Sequence, residues 1–204
     1  MPGLILQFFG GRGAGRAADD IIATSDGAIA ITAASGGGKS TLLTELIARG
    51  QALMADDVLV LEPRGAESPL AYPAPPLMTV PAIRVPTLGE IASSETTICS
   101  VEDERWIAVP VHPEPLPLRA LVVLDRRPGS PQMSGSEAVL QKIDEPLAPL
   151  LGALMSFPRS PERQRARFEL AGALASRIAL WRLTADLNTP PDVLADTLLA
   201  GEPH

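Results

Sequence analysis

ITAASGGGKSTLLTELIARG, residues 31–50, starts apolar, breaks into three consecutive glycines and resumes with leucines at helical spacing. The preceding residues complete AIAIT (28–32), a short, partly β-branched run that predicts a buried strand leading into the glycines. Beyond Ser40, the residues Leu42, Leu43, Leu46 and Ile47 predict a helix, and Gly50 stands where a helix C-cap glycine belongs. Ala33 to Ser40 match G-x-x-x-x-G-K-[ST] at every defined position except the first, where Ala33 replaces glycine. Gly36, Gly37 and Gly38 let the backbone aim its N–H groups at a polyphosphate, forming an anion nest at a helix start. Lys39 offers charge to the β- and γ-phosphates, the Ser40 hydroxyl offers a ligand to Mg²⁺, and Thr41 adds a contact further along. The Ala33 methyl is expected to affect loop geometry and not charge. The competing reading is a glycine-rich turn that binds nothing; the flanking strand, the helix and the GKST run weigh against it.

Composition restricts what such a loop could serve. The chain has 204 residues, 46% hydrophobic, enough for one well-buried core, so a single domain spanning 1–204 is expected. A net charge of -7 and a pI near 4.9 leave no broad basic footprint for nucleic acid and argue against an anionic membrane surface. A single cysteine, Cys99, cannot form an intrachain disulfide, and with His112 and His204 it makes no metal cluster. The apolar run Leu4 to Phe9 is too short for a signal-peptide core or a span, and a reducing cytoplasm is the expected setting.

The 21 prolines divide the remainder. Residues 63–117 read as a small irregular β region, with Trp106 to Val111 strand-like. LRALVVLD (118–125) reads as a strong central strand, followed by a turn at RRPGSPQ. Ser136 to Lys142 and Leu147 to Met155 read as helical, and Pro161 to Leu180 as an amphipathic helix. WRLTAD (181–186) reads as a short edge strand, and PPDVLADTLLA (190–200) as a helix opened by proline. MSGSE (133–137) lacks the remainder of an ABC signature.

Two acidic candidates follow the loop. LVVLD ends in Asp125 at the close of an apolar strand, the generic Walker B pattern. Asp56 and Asp57, in ALMADDVLVLE (52–62), follow the helix directly, so their strand is expected beside the loop strand. A pair of acids allows two tasks, one on a metal and one on a hydroxyl proton, which a serine does not lose unaided near neutral pH. A solvated turn is the plainer account of the pair.

GKSTLLTELIARGQALMADDVLVLE resembles the corresponding region of the bacterial HPr kinase/phosphorylases and their smaller homologues. In that family an S-G-x-G-K-S loop and helix lead through R-G and a short strand to A-D-D; here these are Ser35 to Ser40, Arg49-Gly50 and Ala55-Asp56-Asp57. The resemblance covers residues 28–62. It implies an α/β P-loop kinase core with a central mixed sheet flanked by helices, related to the phosphoenolpyruvate carboxykinase type. It also implies ATP and Mg²⁺ as cofactors and a serine on a peptide or small protein as acceptor. By the same resemblance Asp56 is the base or acid at the hydroxyl, Asp57 and Ser40 serve the metal, and Lys39 serves the phosphates. The order of the two aspartates stays open. Family rings imply a homo-oligomer.

Two departures stand out. The family's histidine before the loop falls on Ala18, and its E-I-R falls on Ala82-Ile83-Arg84, which keeps only the arginine as a catalytic candidate. Both weigh against reverse phosphorylase activity and strict HPr recognition. Compact homologues beside genes for ribosomally made peptides, lasso peptides included, phosphorylate a precursor serine, and the shortened pattern fits that role. A nucleotide-binding module without catalysis and a generic NTPase using Asp125 are the alternatives. Arg119, Arg126 and Arg127 are weaker phosphate candidates, since arginine's fork suits phosphate oxygens. Arg159, Arg163, Arg165 and Arg167 read as a solvated helix face that an acidic peptide would also fit. His112 reads as a loop residue, and Trp106 and Trp181 as core or interface anchors.

Overall fold

The computed structural model describes residues 18–57, 60–64, 66–93, 95–128, 137–153 and 161–201. The chain opens with strands β1 (Ala18–Thr24) and β2 (Gly27–Ala33), helix α1 (Lys39–Ala48), and strands β3 (Ala52–Ala55), β4 (Val60–Arg64), β5 (Glu67–Tyr72) and β6 (Leu77–Pro81). A 3₁₀ segment, Ala82–Ile91, precedes β7 (Thr97–Val101), β8 (Glu104–Ala108) and the long β9 (Leu116–Arg127). Then come β10 (Ala138–Lys142), α2 (Leu147–Ala153), α3 (Pro161–Ala175), β11 (Ala179–Asp186) and α4 (Pro191–Ala200).

The architecture is α/β. The main sheet runs β10-β11-β9-β2-β1-β3, and β5, paired with β4, joins the start of β9. β2, β9 and β11 are mutually parallel, whereas β1 lies antiparallel on β2, β3 on β1 and β10 on β11, so the sheet is mixed. Every residue of β2 is buried, Thr32 included, as befits a largely apolar strand covered on both faces. A second sheet, β6-β8-β7, stands beside it.

Helices cover both faces. On one, Leu42, Leu43 and Leu46 of α1 are fully buried together with Leu194, Ala195 and Leu198 of α4. On the other, Leu150 of α2 and Leu170, Ala171 and Leu174 of α3 close over Ala28, Ala30 and Leu121. Each buried leucine contributes about 1.5–3 kcal/mol through removal from water. At the end of α1, Gly50 adopts φ 89, which lets its N–H reach Ile47 O at 2.9 Å and the Gln51 N–H reach Leu46 O at 3.1 Å. This is the Schellman arrangement that the sequence placed at Gly50. Among the described residues no helix is long and apolar enough to cross a membrane.

Several sequence expectations are corrected. Ala138–Lys142 is the edge strand β10 and not a helix; five residues are too few for hydrophobic period to separate the two. WRLTAD belongs to an interior strand, because β10 covers the side of β11 away from β9. The amphipathic helix ends at Ala175 and its last expected residues already enter β11. β3 does not adjoin the loop strand: β1 lies between them, and its sequence ADDIIAT gave no signal beyond a short apolar centre. The expected helical residues Met155 and Ser136 lie outside the described residues, as does most of MSGSE.

Leu46→Ala would open a cavity between α1 and α4. Its unfolding free energy in urea is expected to fall by about 2–5 kcal/mol with an unchanged m-value.

Candidate functional site

The loop between β2 and α1 is built by three glycines that act for different reasons. Gly36 and Gly38 hold φ 75 and φ 89, a region L side chains avoid. Gly37 donates to Ala34 O at 2.8 Å, and a Cβ there would lie 2.8 Å from the same oxygen. A Cβ at Gly38 would lie 2.7 Å from Arg126 Nη1. Ala33 is the final residue of β2, is buried and is not in a left-handed conformation, so glycine is not needed there. Its methyl joins the core on the α1 face. Ser35 and Gly36 are exposed, while Ser40 and Thr41 lie half-buried in the first turn of α1.

Lys39 opens α1, and its buried ammonium meets two carboxylates. It donates to Asp20 Oδ1 and, at 3.0 Å, to Asp57 Oδ1. Asp20 lies on β1, two residues beyond Ala18, which pairs with Ala33 at the loop entrance. Its side chain is 0% exposed, against 46% for Asp57. The turn after β3 brings in the acidic pair. Asp57 adopts φ 63, tolerated by aspartate at some strain, and its N–H points to Asp20 Oδ1 at 3.3 Å. Asp56 Oδ2 accepts from the Thr79 N–H of β6 at 2.6 Å. One carboxylate oxygen each from Asp20, Asp56 and Asp57 lie within 4.8 Å of one another.

The structure thus gathers Lys39, Asp56 and Asp57 at one end of the sheet, as their sequence order suggested. Asp20 was missed. The only sequence signal for it is an acid in RAADD immediately before an apolar run, and nothing marked β1 as the neighbour of the loop strand.

Charge and burial shape the cluster's proton affinities. Burial works to lower the pKa of Lys39 but is outweighed by the charges of Asp20, Asp57 and Asp56 and by the Asp20 hydrogen bond, so it lies above the ordinary lysine value. Asp56 is pushed up to about 8, by burial first and then by the negative charge of Asp20 and hydrogen bonding with it. Lys39 works in the opposite direction.

Asp125 follows the apolar stretch of β9, the strand beside the loop strand, one residue past the Leu124–Ala33 pair. Its two oxygens are taken by Arg127, at 3.0 Å from Nε and 2.6 Å from Nη2, and Lys39 turns to other acids. Arg126 reaches the loop at Gly38. Its Nε and Nη2 donate to the carbonyls of Asp186, Leu187 and Thr189, which leaves Nη1 over Gly38. Burial lowers its pKa, Asp186 offsets this, and the nearby charge of Arg84 lowers it further. Arg119 donates to Asp26 O and lies against Gly27, where β2 begins, away from the loop. Arg165 pairs with Glu169 on α3. The His112 ring meets its own loop at Glu114 through Nδ1, and its backbone N–H donates to Leu53 O of β3 at 2.8 Å. Trp106 is exposed on β8 and Trp181 is partly buried against the core. Arg159 lies outside the described residues.

No protein-family model matches the sequence. No curated protein matches it either. Among solved structures, the HPr(Ser) kinase/phosphatase from Coxiella burnetii aligns over 90% of this chain and 93% of its own, at 14% identity and a TM-score of 0.46. A likeness of that extent fixes neither family nor activity.

The raised Asp56 pKa has a definite sign in stability. Between the ordinary value of 3.8 and about 8 the folded chain holds a proton that the unfolded chain has lost, so this group makes stability fall as pH rises through that window. In chelator-treated buffer, Asp56→Asn should therefore gain Tm over wild type on going from about pH 5 to about pH 8.5. A difference that stays constant across that range would contradict the assignment.

Proposed function

We propose that the chain is an ATP- and Mg²⁺-dependent kinase that phosphorylates a serine hydroxyl of a peptide or small protein, on a P-loop core of the phosphoenolpyruvate carboxykinase type. The observation that carries this reading is the meeting of a glycine loop, its helix-opening lysine and a buried carboxyl group at one end of the sheet. Gly37 and Gly38 occupy places where a Cβ would collide with backbone or with Arg126, so the loop keeps the bare backbone that a phosphate cradle uses. Gly36 to Gly38, Lys39, Ser40 and Thr41 would hold the polyphosphate, with Ser35 at the rim. Asp57 and Ser40 would hold the metal. MgATP, when bound, supplies the transferable phosphoryl group and the charge that offsets its oxygens.

The remaining work falls to side chains. Asp56 has one oxygen tied to β6 and the other, Oδ1, buried within the acidic cluster it shares with Asp20, which suits it to exchange the serine proton. A carboxyl group whose proton affinity lies near the working pH is a matched base. Arg84 and the tethered Arg126 would stand beside the loop, where a fixed guanidinium stabilises developing phosphate charge without reorganising. Lys39 would exchange a carboxylate for phosphate oxygens as the nucleotide enters. A precursor peptide remains the favoured acceptor over an HPr-like protein, because Ala18 and Ala82 replace residues that the resemblance associates with the latter. Neither acceptor involves nucleic acid or a membrane surface, and a homo-oligomer is the proposed assembly.

Labelled ATP and serine peptides provide the test. Lys39→Ala should abolish both nucleotide binding and transfer. Asp56→Asn should retain binding and lose about 10²–10⁴-fold in transfer, while Asp125→Asn stays within a few-fold of wild type. Transfer that survives Asp56→Asn but not Asp125→Asn would assign the chemistry to the other acid. Nucleotide binding with no transfer to any peptide would favour a binding module instead.

A further inference from the structure

We propose that Asp20 is a positioning residue of the phosphate site: it holds Lys39 both before and after nucleotide enters, and Asp57 is the carboxylate that lets go. The inference rests on the kinase reading for the tasks of Lys39 and Asp57, and gives a part to a buried acid which that reading leaves idle.

Asp20 joins the working side chains without reaching a substrate. Its Oδ1 accepts from the Lys39 ammonium and from the Asp57 N–H, and its carboxyl group hydrogen-bonds Asp56. The side chain is 0% exposed on β1, a strand paired with β2 on one side and β3 on the other. One buried oxygen therefore sets the direction of the lysine and pins the turn in which Asp57 holds φ 63.

The two carboxylates on Lys39 are not equivalent. Separating Lys39 from Asp20 would strand a buried anion away from water, the costly way to break an ion pair. Separating it from Asp57, 46% exposed, returns that carboxylate to water or to a metal at little cost. An ammonium carries three donors, so Lys39 can stay on Asp20 and turn the others toward phosphate oxygens. Asp57 then remains near its place, because its backbone N–H is still held by Asp20. The Asp20 charge itself opposes an incoming phosphate. Its removal thus costs placement of the lysine and not attraction of the nucleotide.

The test follows the Lys39 ammonium by proton–nitrogen NMR in the full chain labelled at lysine. The sequence has only Lys39 and Lys142, and Lys142 is exposed on β10, so a slowly exchanging ammonium identifies Lys39. Its signal should be present without nucleotide and should persist when Mg²⁺ and a non-hydrolysable ATP analogue are added. Asp57→Asn, a change at a partly exposed turn, should keep the signal. Asp20→Asn should lose it to exchange with water in both states. With ATP and a serine peptide, Asp20→Asn should lower kcat by about ten-fold or more while the KM for ATP stays within a few-fold. A merely structural acid would leave the ammonium signal of a folded variant intact.

Absence of the signal from wild type, its loss on nucleotide binding or in Asp57→Asn, or its survival in a folded Asp20→Asn would each overturn the proposal. So would an undiminished kcat in Asp20→Asn. The wild-type and Asp57→Asn arms decide the matter even if Asp20→Asn does not fold. An analogue that fails to bind would sink both readings, whereas binding with the expected signals but no transfer to any serine peptide would count against the kinase reading alone.

Discussion

The Lys39 ammonium is the charge around which this end of the molecule is organised. A buried lysine is tolerated only when anions replace the water it has lost, and here they come from two separate elements, β1 and the turn after β3. That requirement explains the placement of β1 better than any property of its own sequence. Inserted between β2 and β3, it carries Asp20 to within reach of the first residue of α1. The same insertion separates the acidic pair's strand from the loop strand. The pair nevertheless reaches Lys39, because the turn bends back with Asp57 in a left-handed conformation.

The backbone of the site reflects the same economy of space. Gly37 and Gly38 are closed in by Ala34 O and Arg126, while Gly36 faces open space and is required for its backbone angle alone. Ala33, which departs from the usual loop pattern, sits where the chain is still a regular strand. Its methyl packs in the core and also closes in on the loop, where a Cβ at Gly37 would lie 3.2 Å from it. The irregularity that drew attention in the sequence is thus the ordinary end of a strand.

How much of this was legible in advance follows the range of the interactions. The strand, glycine loop and helix at 27–50 were readable because local periods and a C-cap glycine fix them. So was β9, whose apolar core is long enough to be unambiguous. β10 and the place of β11 were not, since strand neighbours are chosen by the whole sheet and five residues carry no decisive period. In the site, Lys39, Asp56 and Asp57 lay in one short segment and could be grouped by eye. Asp20 lies 19 residues before Lys39, and only the β1–β2 pairing brings them together. Arg126 is bound to the carbonyls of residues 186, 187 and 189, a tether written in backbone and so absent from any residue pattern.

The contact between Thr79 and Asp56 belongs to that silent class. The donor is a peptide N–H, identical for nineteen of the twenty amino acids, so position 79 could drift freely among relatives while the acid remained anchored. Only proline would cut the link. A column of unrelated residues at that position would look dispensable, although it marks the strut joining the small sheet to the charged cluster.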